Sequence, residues 1–435
     1  MTDTKQAIDR RRFLGTAALA GVSAIAFPAA GAAIGTSALG ASERLVVGVM
    51  GVNGRGNALA KGFAKLDSAR VAWVCDVDER AVAKARTTVE EAAGKAPDGA
   101  GDFRKMLDES ALDAIVIAAP NHWHAPAAIL ACAAGKHVYV EKPLSHNARE
   151  GEILVEAARK HRRVVQMGNQ RRTWEKIAEA VERVRGGLIG NAFFSTSWYG
   201  NSRPAIGRGK TTAVPSWLDF DLWQGPAPRR DFVDNLVHYD WHWRWHWGNG
   251  ELGNNGVHGI DLCRWGLGVE FPSRVTSAGG RYVFADDQET PDTHVVTYEF
   301  AGGKAIRWEG LSCNRHALGG DGFGVSFHGD AGTVVIGGSG YEVFDAADKS
   351  VEKVDGPRDD SDHFRNFVDC VRTGAKPASD VEGAHRSTLL CHLGNIAQRT
   401  GRALRCDAAN GHIIGDPQAM ELWGREYAPG WEPKA

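Results

Sequence analysis

The sequence lacks an excess of charge of either sign. Its 51 lysine and arginine residues nearly balance its 53 aspartate and glutamate residues, and the formal net charge is -2 at pH 7. A nucleic-acid-binding protein usually carries a basic patch or a basic overall balance. The composition therefore argues against a nucleic-acid partner.

Paired cysteines are lacking as well. The seven cysteines are scattered, and none of them forms a CxxC pair: Cys75, Cys132, Cys263, Cys313, Cys370, Cys391 and Cys406. This distribution argues against a disulfide framework or a cysteine-based metal site. We expect most of these residues to be buried as small apolar side chains.

After residue 33, no apolar run approaches the length that spans a membrane. The first forty residues are typical of a targeting segment. The motif RRRFLG at residues 10–15 resembles the twin-arginine export signal, and an alanine-rich stretch with a small-residue cleavage site follows it. We expect cleavage and a periplasmic or otherwise exported protein with no stable membrane insertion. A retained membrane anchor is the alternative, although glycine, proline and alanine make the stretch weakly hydrophobic.

A chain of 435 residues is too long to fold around one ordinary hydrophobic core, so two domains are expected after this signal. Between residues 41 and 166, short β-branched runs alternate with helical patterns. The predicted strands are 45–49, 70–75, 114–118, 137–140 and 163–166, and the predicted helices are 57–65, 79–92, 103–108, 125–133 and 149–159. This alternation predicts an α/β domain with a parallel sheet covered on both faces.

Residues 167–435 have a different pattern, typical of an α+β domain. A predicted helix at 175–185 and a strand at 191–199 precede a stretch rich in glycine, proline and tryptophan. A helix at 252–265 follows, then strands without intervening helices at 274–282, 293–300, 305–308, 323–328, 333–336 and 342–344, and helices at 363–372 and 381–400. The strands predict an open mixed, largely antiparallel sheet.

A glycine-rich turn closes the first predicted strand. Glycines allow a tight strand-to-helix turn and close approach to a pyrophosphate, which the helix N-terminus attracts. The segment GVNGRG departs from GxGxxG only in its second glycine position, where asparagine tolerates a left-handed backbone. The candidate cofactor-binding residues of this turn are Gly51, Asn53, Gly54, Arg55 and Gly56.

Asp76 ends the second strand, where an acid bonds the adenine ribose of a dinucleotide. Such an acid repels a 2′-phosphate, so NAD is favoured over NADP, although Arg80 lies close enough to accommodate a phosphate. The alternative role for Asp76 is to cap the next helix. Two later strand ends add further cofactor-binding candidates, namely Pro120, Asn121, His122, Glu141 and Lys142. Asn121 and His122 either contact the nicotinamide ribose or belong to a capping loop.

Asn254, His258 and Asp261 fall on one face of the helix predicted at 252–265. A histidine titrates near neutrality and can take the proton of an alcohol. Lys142 beside it can stabilise the developing alkoxide. We therefore predict Lys142, His258 and Asn254 as the catalytic group.

These motifs, in this order and spacing, resemble those of the glucose–fructose oxidoreductase / inositol dehydrogenase / rhizopine-catabolism (Gfo/Idh/MocA) family. The resemblance covers nearly the whole chain after residue 40. It implies a Rossmann domain with bound NAD or NADP, a sheet domain that often mediates homo-oligomers, and redox chemistry on sugars, cyclitols or glycosides. Lys142 and His258 match the family's catalytic lysine and histidine. Asn254 departs from the aspartate of inositol-dehydrogenase-like members, so it either orients substrate or leaves proton transfer to Asp261 or Lys142.

His238, His242 and His246 have helical spacing, which invites a metal-site interpretation. Interleaved tryptophans favour an irregular sugar-binding loop instead, so no metal is predicted here or at Cys313 and His316. The candidate substrate-binding residues are Trp243, Arg244, Trp245 and Asp261, and Trp241 and Trp247 are further candidates to line a cleft.

The sequence thus predicts an exported NAD(P)-dependent oxidoreductase of a sugar or glycoside. Two enzyme alternatives are a glycosidase that uses retained NAD by oxidation and elimination, and an aldose–aldose oxidoreductase with trapped cofactor. A non-catalytic sugar sensor with the same fold is a further alternative.

Overall fold

The computed structural model describes residues 44–435. The predicted export signal at residues 1–40 lies outside the described residues. Within the described range, no helix combines the length and apolar character needed to cross a bilayer.

A six-stranded parallel sheet occupies the first part of the fold, in the order β3-β2-β1-β4-β5-β6. The strands are β1 (Leu45–Met50), β2 (Ala69–Cys75), β3 (Asp98–Ala100), β4 (Ala114–Ile117), β5 (His137–Val140) and β6 (Val165–Met167). Five helices connect them: α1 (Arg55–Ala64), α2 (Glu79–Ala93), α3 (Arg104–Leu107), α4 (Asn121–Ala133) and α5 (Ala148–Lys160). The order reverses beside β1, which creates a crevice for a ligand at the carboxyl ends of the strands.

The strands of this sheet are apolar on both faces. In β4, Ala114 and Val116 join one hydrophobic cluster, while Ile115 and Ile117 join the other. Successive strand residues point to opposite faces, so helices cover the sheet on both sides. This arrangement confirms the predicted α/β class.

A mixed sheet of ten strands forms the second part, in the order β15-β14-β13-β12-β7-β10-β9-β8-β16 with β11 beside β7. Its strands are β7 (Ala192–Ser202), β8 (Arg274–Gly280), β9 (Thr293–Phe300), β10 (Lys304–Leu311), β11 (Cys313–Asn314), β12 (Phe323–Gly329), β13 (Gly332–Gly337), β14 (Gly340–Asp345), β15 (Ser350–Val354) and β16 (Leu404–Arg405). Among the strands that residues 44–435 contribute to this sheet, only β7 and β10 pair in parallel. The open, largely antiparallel sheet is thus confirmed.

The helices of the second part are α6 (Glu175–Arg185), α7 (Phe220–Gln224), α8 (Val257–Leu267), α9 (Ser361–Thr373), α10 (Val381–Thr400) and α11 (Pro417–Met420). In β9, the buried side chains alternate with half-buried ones, so one sheet face packs against helices. Tyr298 on that face donates a hydrogen bond to Leu390 O of α10 at 2.8 Å.

Helix α9 belongs to the second part of the chain but packs against elements of the first sheet. Phe364 stacks on Phe63 of α1 with ring centroids 4.9 Å apart, and Phe367 packs edge-on against Tyr139 of β5. The domain boundary at residues 166 and 167 stays a prediction, and the core of the first sheet includes side chains from well beyond it.

Candidate active site

A cavity of about 540 Å³ opens where the strands of the first sheet end. Gly51 follows β1, Asp76 follows β2, Ala119 follows β4 and Glu141 follows β5, and all four residues line this cavity. Parallel strands bring their carboxyl ends to one edge, so residues far apart in sequence meet there. We call this space the nucleotide cavity.

The glycine-rich turn leaves room for a pyrophosphate. Gly51 has φ +82°, and a Cβ atom there would lie 2.5 Å from Ala119 N. A Cβ atom on Gly56 would lie 2.0 Å from Gly51 O, whereas one on Gly54 would meet nothing within 4 Å. Gly54 also precedes α1 without a side-chain cap. The turn therefore packs tightly on the sheet and leaves a helix N-terminus that fits an anion.

Asp76 is fixed beside this turn. Its carboxylate accepts hydrogen bonds from Val52 N at 2.7 Å and from Asp78 N at 3.0 Å. Burial raises the pKa of Asp76. The cap of α2 is Asp78, so the alternative role of Asp76 as the helix cap is wrong.

The side chain of Arg80 is fixed by contacts with Asp78 and Trp217. Its guanidinium makes two hydrogen bonds to the Asp78 carboxylate, at 2.9 and 2.8 Å, and lies 3.5 Å from the centroid of the Trp217 ring. Both contacts orient the cation, and stacking on an indole is favourable for a guanidinium.

Glu141 and Arg55 form an ion pair that lines the nucleotide cavity, with 2.8 Å between Arg55 Nε and Glu141 Oε1. Burial alone would raise the pKa of Glu141, but the charges of Arg55 and Lys142 and their hydrogen bonds together outweigh burial and hold that pKa below its usual value. Both residues were predicted to bind the cofactor, and the structure brings them together with the glycine-rich turn.

Lys142 reaches from the end of β5 to the helical segment before α8. Its Nζ donates to Asn254 O at 2.8 Å and to Asn254 Oδ1 at 3.0 Å. Burial lowers the pKa of Lys142, while Glu141 and Glu251 act in the opposite direction. The Asn254 amide lies 3.4 Å from Glu251, which is buried and paired with Arg203 at 2.6 Å.

His258 lines the same cavity as Lys142. Its Nδ1 lies 2.6 Å from Asn169 Oδ1. An amide oxygen only accepts hydrogen bonds, so Nδ1 carries the proton and Nε2 keeps its lone pair. Burial and the Lys142 charge hold the pKa of His258 well below its ordinary value. The ring is therefore neutral near neutral pH, as a proton acceptor must be.

A further part of the cavity wall is an aromatic segment at residues 217–247, which we call the aromatic strap. It contributes Leu222, Trp223, His238, Tyr239, Trp241 and His242 to the lining. The strap is attached at the end of β2, where Asp219 N donates to Val77 O at 3.0 Å and His238 Nε2 lies 2.9 Å from Asp78 Oδ2. Residues 77–78 and 217–219 thereby hold it across the crevice.

The structure places the predicted substrate-binding residues away from the lining of the nucleotide cavity. Trp243 is buried, and Arg244 donates to Asn235 Oδ1 at 2.7 Å. Trp245 lines a different cavity. Asp261 is buried against Arg172, with contacts of 2.7 and 2.8 Å, and accepts a hydrogen bond from Ser387 at 2.6 Å. Trp243, Arg244 and Asp261 are therefore in structural positions, and Trp245 lines the other cavity.

Among the predicted cofactor-binding residues, Pro120 and Asn121 line the nucleotide cavity. His122 lies in the first turn of α4 but is fully buried, with Nε2 2.9 Å from Trp223 O. Through this contact, His122 supports the aromatic strap. Helix α4 begins at Asn121, so the predicted capping loop is already helical there.

The three histidines of the metal interpretation face separate partners. His238 contacts Asp78, His242 stacks on Trp241 at 3.6 Å, and His246 contacts Pro228 O at 2.8 Å. Within residues 44–435, no group of three or more metal-ligating side chains is assembled. Six of the seven cysteines are buried and Cys313 is half-buried, which confirms the expected burial.

Sequence reasoning missed several residues of the site. Asn169 and Gln170 follow β6, and His124 joins the ends of two strands by contacting Ala119 O and Pro143 O, each at 2.7 Å. Gln170 and His124 line the cavity. Inspection of the carboxyl end of every strand, including β6, would have found Asn169 and Gln170.

The fold and this cavity define a dinucleotide-binding oxidoreductase class. A family model described as "Oxidoreductase family, NAD-binding Rossmann fold" matches residues 45–169. A second, described as "Oxidoreductase family, C-terminal alpha/beta domain", matches residues 194–432. The chain belongs to the Gfo/Idh/MocA oxidoreductase family and carries its NAD-binding Rossmann domain, which confirms the predicted resemblance and cofactor.

Curated relatives match part of the chain. A glycosyl hydrolase family 109 protein of Saccharopolyspora erythraea is 30% identical over 221 residues, 48% of each chain. An inositol 2-dehydrogenase of Rubrobacter xylanophilus is 30% identical over 165 residues, 38% of this chain and 46% of that one. The chain thus spans about half the length of these relatives.

Solved structures share the fold over most of the chain. Levoglucosan dehydrogenase in complex with NADH and levoglucosan has a TM-score of 0.65 at 19% identity, covering 83% of this chain and 99% of that one. Aldose–aldose oxidoreductase from Caulobacter crescentus, complexed with glycerol, has a TM-score of 0.64 at 18% identity, covering 83% of this chain and 100% of that one. At these identities the likeness concerns the fold.

Proposed function

We propose that this protein oxidises a hydroxyl-bearing carbon of a sugar or glycoside. The observation that carries the proposal is the meeting of the Lys142 ammonium, the His258 imidazole and the glycine-rich turn around one cavity. NAD, when bound there, supplies the hydride acceptor. The names of two relatives, a dehydrogenase of inositol and a glycosyl hydrolase, support a polyhydroxylated substrate.

His258 acts as the base in this proposal. Its Nε2 lone pair accepts the hydroxyl proton, while Asn169 holds the ring from the other side. Lys142 orients the hydroxyl oxygen and stabilises the negative charge that develops on it. Asn254 holds Lys142 through its side-chain and backbone oxygens. Because an amide oxygen cannot take a proton as a carboxylate does, Asn254 is assigned to orientation rather than to a proton relay.

NAD is favoured over NADP as the physiological cofactor. The Asp76 carboxylate faces the crevice where an adenine ribose would lie, and its charge would repel a 2′-phosphate. Arg80, the nearby cation, already makes two hydrogen bonds to Asp78. Export by the twin-arginine route, which carries folded proteins, and a homo-oligomer formed through the open sheet remain part of the proposal.

A second candidate is a glycosidase that keeps its NAD, oxidising the sugar transiently before elimination of the aglycone. The specific observation that favours it is the aromatic strap, which is attached to Val77 and Asp78 across the nucleotide crevice. A cofactor held under such a strap would be retained between turnovers. Relatives named glycosyl hydrolase family 109 support the same candidate.

Lys142→Met provides the first test. Purified full-length protein is assayed with a panel of free sugars and aryl glycosides, following reduced-nicotinamide absorbance and aglycone release separately. Net NADH favours the dehydrogenase, whereas aglycone release without net NADH favours the glycosidase. In both cases, loss of the Lys142 charge should lower turnover about 10²–10³-fold, the loss typical of removing one group that stabilises an oxyanion.

The matched control is Lys65→Met, which removes an exposed lysine at the end of α1. It should keep the parent rate. Bound NAD should remain in both variants. Turnover by Lys142→Met within tenfold of the parent rate would rule out the assigned role of Lys142.

A further inference from the structure

Within residues 44–435, the Lys142 ammonium forms hydrogen bonds to neutral oxygens alone. Its Nζ donates to Asn254 O at 2.8 Å and to Asn254 Oδ1 at 3.0 Å. An ammonium has three N–H donors, so one donor is left for a substrate oxygen. Burial lowers the pKa of Lys142. The positive charge that the proposed oxidation requires on Lys142 therefore depends on anions beyond Asn254.

Glu251 is a buried anion on the other side of the Asn254 side chain. It is 3% exposed, and the helical segment before α8 carries Asn254 and Asn255 three and four residues after it. Residues at these spacings are neighbours on a helix. Glu251 Oε1 accordingly accepts a hydrogen bond from Asn255 Nδ2 at 2.5 Å and lies 3.4 Å from Asn254 Nδ2.

The two oxygens of the Glu251 carboxylate face different groups. Oε2 lies 2.6 Å from Arg203 Nε and accepts a hydrogen bond from Ser312 Oγ at 3.2 Å. Oε1 is farther from the cation, at 3.3 Å from Arg203 Nη2, and faces the asparagine amides. The ion pair compensates for the burial of the carboxylate, and Oε1 directs negative charge towards Asn254.

Charges at both ends fix the orientation of the Asn254 amide. Its oxygen faces the Lys142 ammonium, and its NH₂ group faces the Glu251 carboxylate. A flipped amide would place its oxygen against the carboxylate and its N–H donors against the ammonium, and both contacts would be repulsive. Glu251 thereby determines which end of Asn254 faces Lys142.

Several other charged and titratable groups act on Lys142. Burial, Arg55 and Arg203 lower its pKa, whereas Glu141 and Glu251 raise it. Glu141 is itself paired with Arg55 at 2.8 Å. Three imidazoles also face the Lys142 charge, namely those of His124, His242 and His258. Glu251 is thus one of two carboxylates that oppose the effect of burial.

We propose that Glu251 is a positioning residue for Lys142, which acts through the Asn254 amide and through its own charge across that amide. The proposal rests on the oxidation proposed above, in which protonated Lys142 stabilises the developing alkoxide. Lys142 keeps all its protons in this step, because the hydroxyl proton goes to His258 and the hydride to nicotinamide. Glu251 does not line the nucleotide cavity. Its contribution is to keep Lys142 charged and directed at the hydroxyl oxygen.

Glu251→Gln provides the test, because it keeps the size of the side chain and removes its charge. Lys142 is active when protonated, so activity is lost as pH rises through its pKa. Without the negative charge, this pKa should fall by about 1 unit. The alkaline limb of kcat/KM should therefore move to lower pH, with about tenfold lower activity above it. The profile is measured from pH 7 to the highest pH at which each protein remains folded.

Two double variants separate the charge of Glu251 from its structural contacts. Glu251→Gln/Asn254→Asp moves the carboxylate to the position that contacts Lys142, and it should return the alkaline limb to the parent value or above. Glu251→Gln/Arg203→Gln leaves no lone buried cation, so it serves if Glu251→Gln folds poorly. Its alkaline limb should still lie below that of the parent, because Glu251 acts on Lys142 more strongly than Arg203 does. The control Glu91→Gln removes an exposed carboxylate from α2 and should follow the parent profile.

A second measurement does not depend on turnover. Full-length protein is labelled with ¹³C at lysine Cε, and the Lys142 resonance is assigned from its loss in Lys142→Met. Titration of this resonance reports the same pKa. A lower pKa in Glu251→Gln that Asn254→Asp reverses supports the proposal.

An unchanged titration and an unchanged alkaline limb in Glu251→Gln would overturn the proposal. A lower pKa that Asn254→Asp fails to reverse, or that Arg203→Gln restores to the parent value, would also overturn it, since the effect would then come from the unpaired Arg203 cation. A parent protein that oxidises no sugar but shows the titration shift would contradict the proposed oxidation and would support the coupling of Glu251 to Lys142.

Discussion

At the scale of single residues, the pairing of Asn169 with His258 determines how the histidine can act. The 2.6 Å contact from Nδ1 to the amide oxygen fixes the proton on Nδ1. An amide carries no charge, so it orients the ring and favours the protonated form much less than a carboxylate would. Burial and the Lys142 charge keep the pKa of His258 low. Orientation and basicity are thereby set by different neighbours.

Asn169→Asp should shift the acid limb of the pH–rate profile upward. A carboxylate at Nδ1 favours the imidazolium, so the pKa of His258 rises by about 1–3 units. The base is active when neutral, and its activity is lost as pH falls through this pKa. The parent should keep its activity well below pH 6.5, whereas the variant should lose it at higher pH.

The measurement is kcat/KM between pH 4 and 9, within the range where each variant remains folded. Asn191→Asp adds the same charge at an exposed position before β7 and should follow the parent profile. An unchanged acid limb in Asn169→Asp would contradict the role of Asn169 as the residue that positions His258.

At the scale of elements, the start of α8 decides which residues share the cavity. A π-helical segment at Leu252–Gly256 precedes α8. Its i→i+5 bonding changes the direction of side chains relative to a regular helix. Asn254 and His258 line the nucleotide cavity, whereas Asp261 packs against Arg172 and Ser387. The three residues were predicted to share one face of the helix. The structure brings Asn254 and His258 to the cavity and directs Asp261 elsewhere.

Asp261→Asn should destabilise the fold. Asp261 is 1% exposed, and its two oxygens face the guanidinium of Arg172. Removing one partner of a buried ion pair leaves an uncompensated charge and costs about 3–5 kcal/mol. The free energy of unfolding should fall by this amount in urea titrations, whereas KM for the substrate should stay near its parent value.

Asp348→Asn serves as the comparison, because Asp348 is exposed in the turn after β14. It should leave the free energy of unfolding within about 0.5 kcal/mol of the parent. A large rise in KM for Asp261→Asn at unchanged stability would restore the predicted substrate-binding role.

At the scale of the whole molecule, the aromatic strap joins the two sheets around one cavity. It follows β7 in the chain, yet it is attached to the end of β2 by Asp219 and His238. The ring of His238 also stacks on Trp217, and the Arg80 guanidinium lies over the same indole ring. The strap and the glycine-rich turn line the same cavity, so we expect opening of the strap attachments to speed the release of a bound dinucleotide.

His238→Ala should accelerate cofactor release. The variant removes the contact with the Asp78 carboxylate, and a hydrogen bond to a charged group contributes about 1.5–3 kcal/mol. Dissociation of NAD should therefore become about tenfold faster or more. Stopped-flow displacement of bound NADH, monitored by its fluorescence, measures the rate. His316→Ala removes an exposed histidine and should release NADH at the parent rate, and equal rates for all three proteins would show that the strap does not retain the cofactor.

The sequence alone predicted most of the longer strands and helices, in their order, and the core of the site. Alternating apolar runs predicted the parallel sheet, and strand-end motifs predicted that Gly51, Asp76 and Lys142 meet, because parallel strands bring their ends to one edge. His258 could be assigned from its helix and from the family resemblance. These features are local or follow from topology, so they can be read along the chain.

Only the tertiary structure decided which partner each polar side chain takes. Arg172 and Asp261 are 89 residues apart, as are Asn169 and His258, and no spacing rule connects them. Among the strap residues predicted to bind substrate or line a cleft, Trp241 lines the nucleotide cavity, Trp245 lines the other cavity, and Trp243 and Arg244 line neither. An irregular segment has no period from which side-chain direction follows. Long-range packing, which balances burial against the pairing of each polar atom, made these choices.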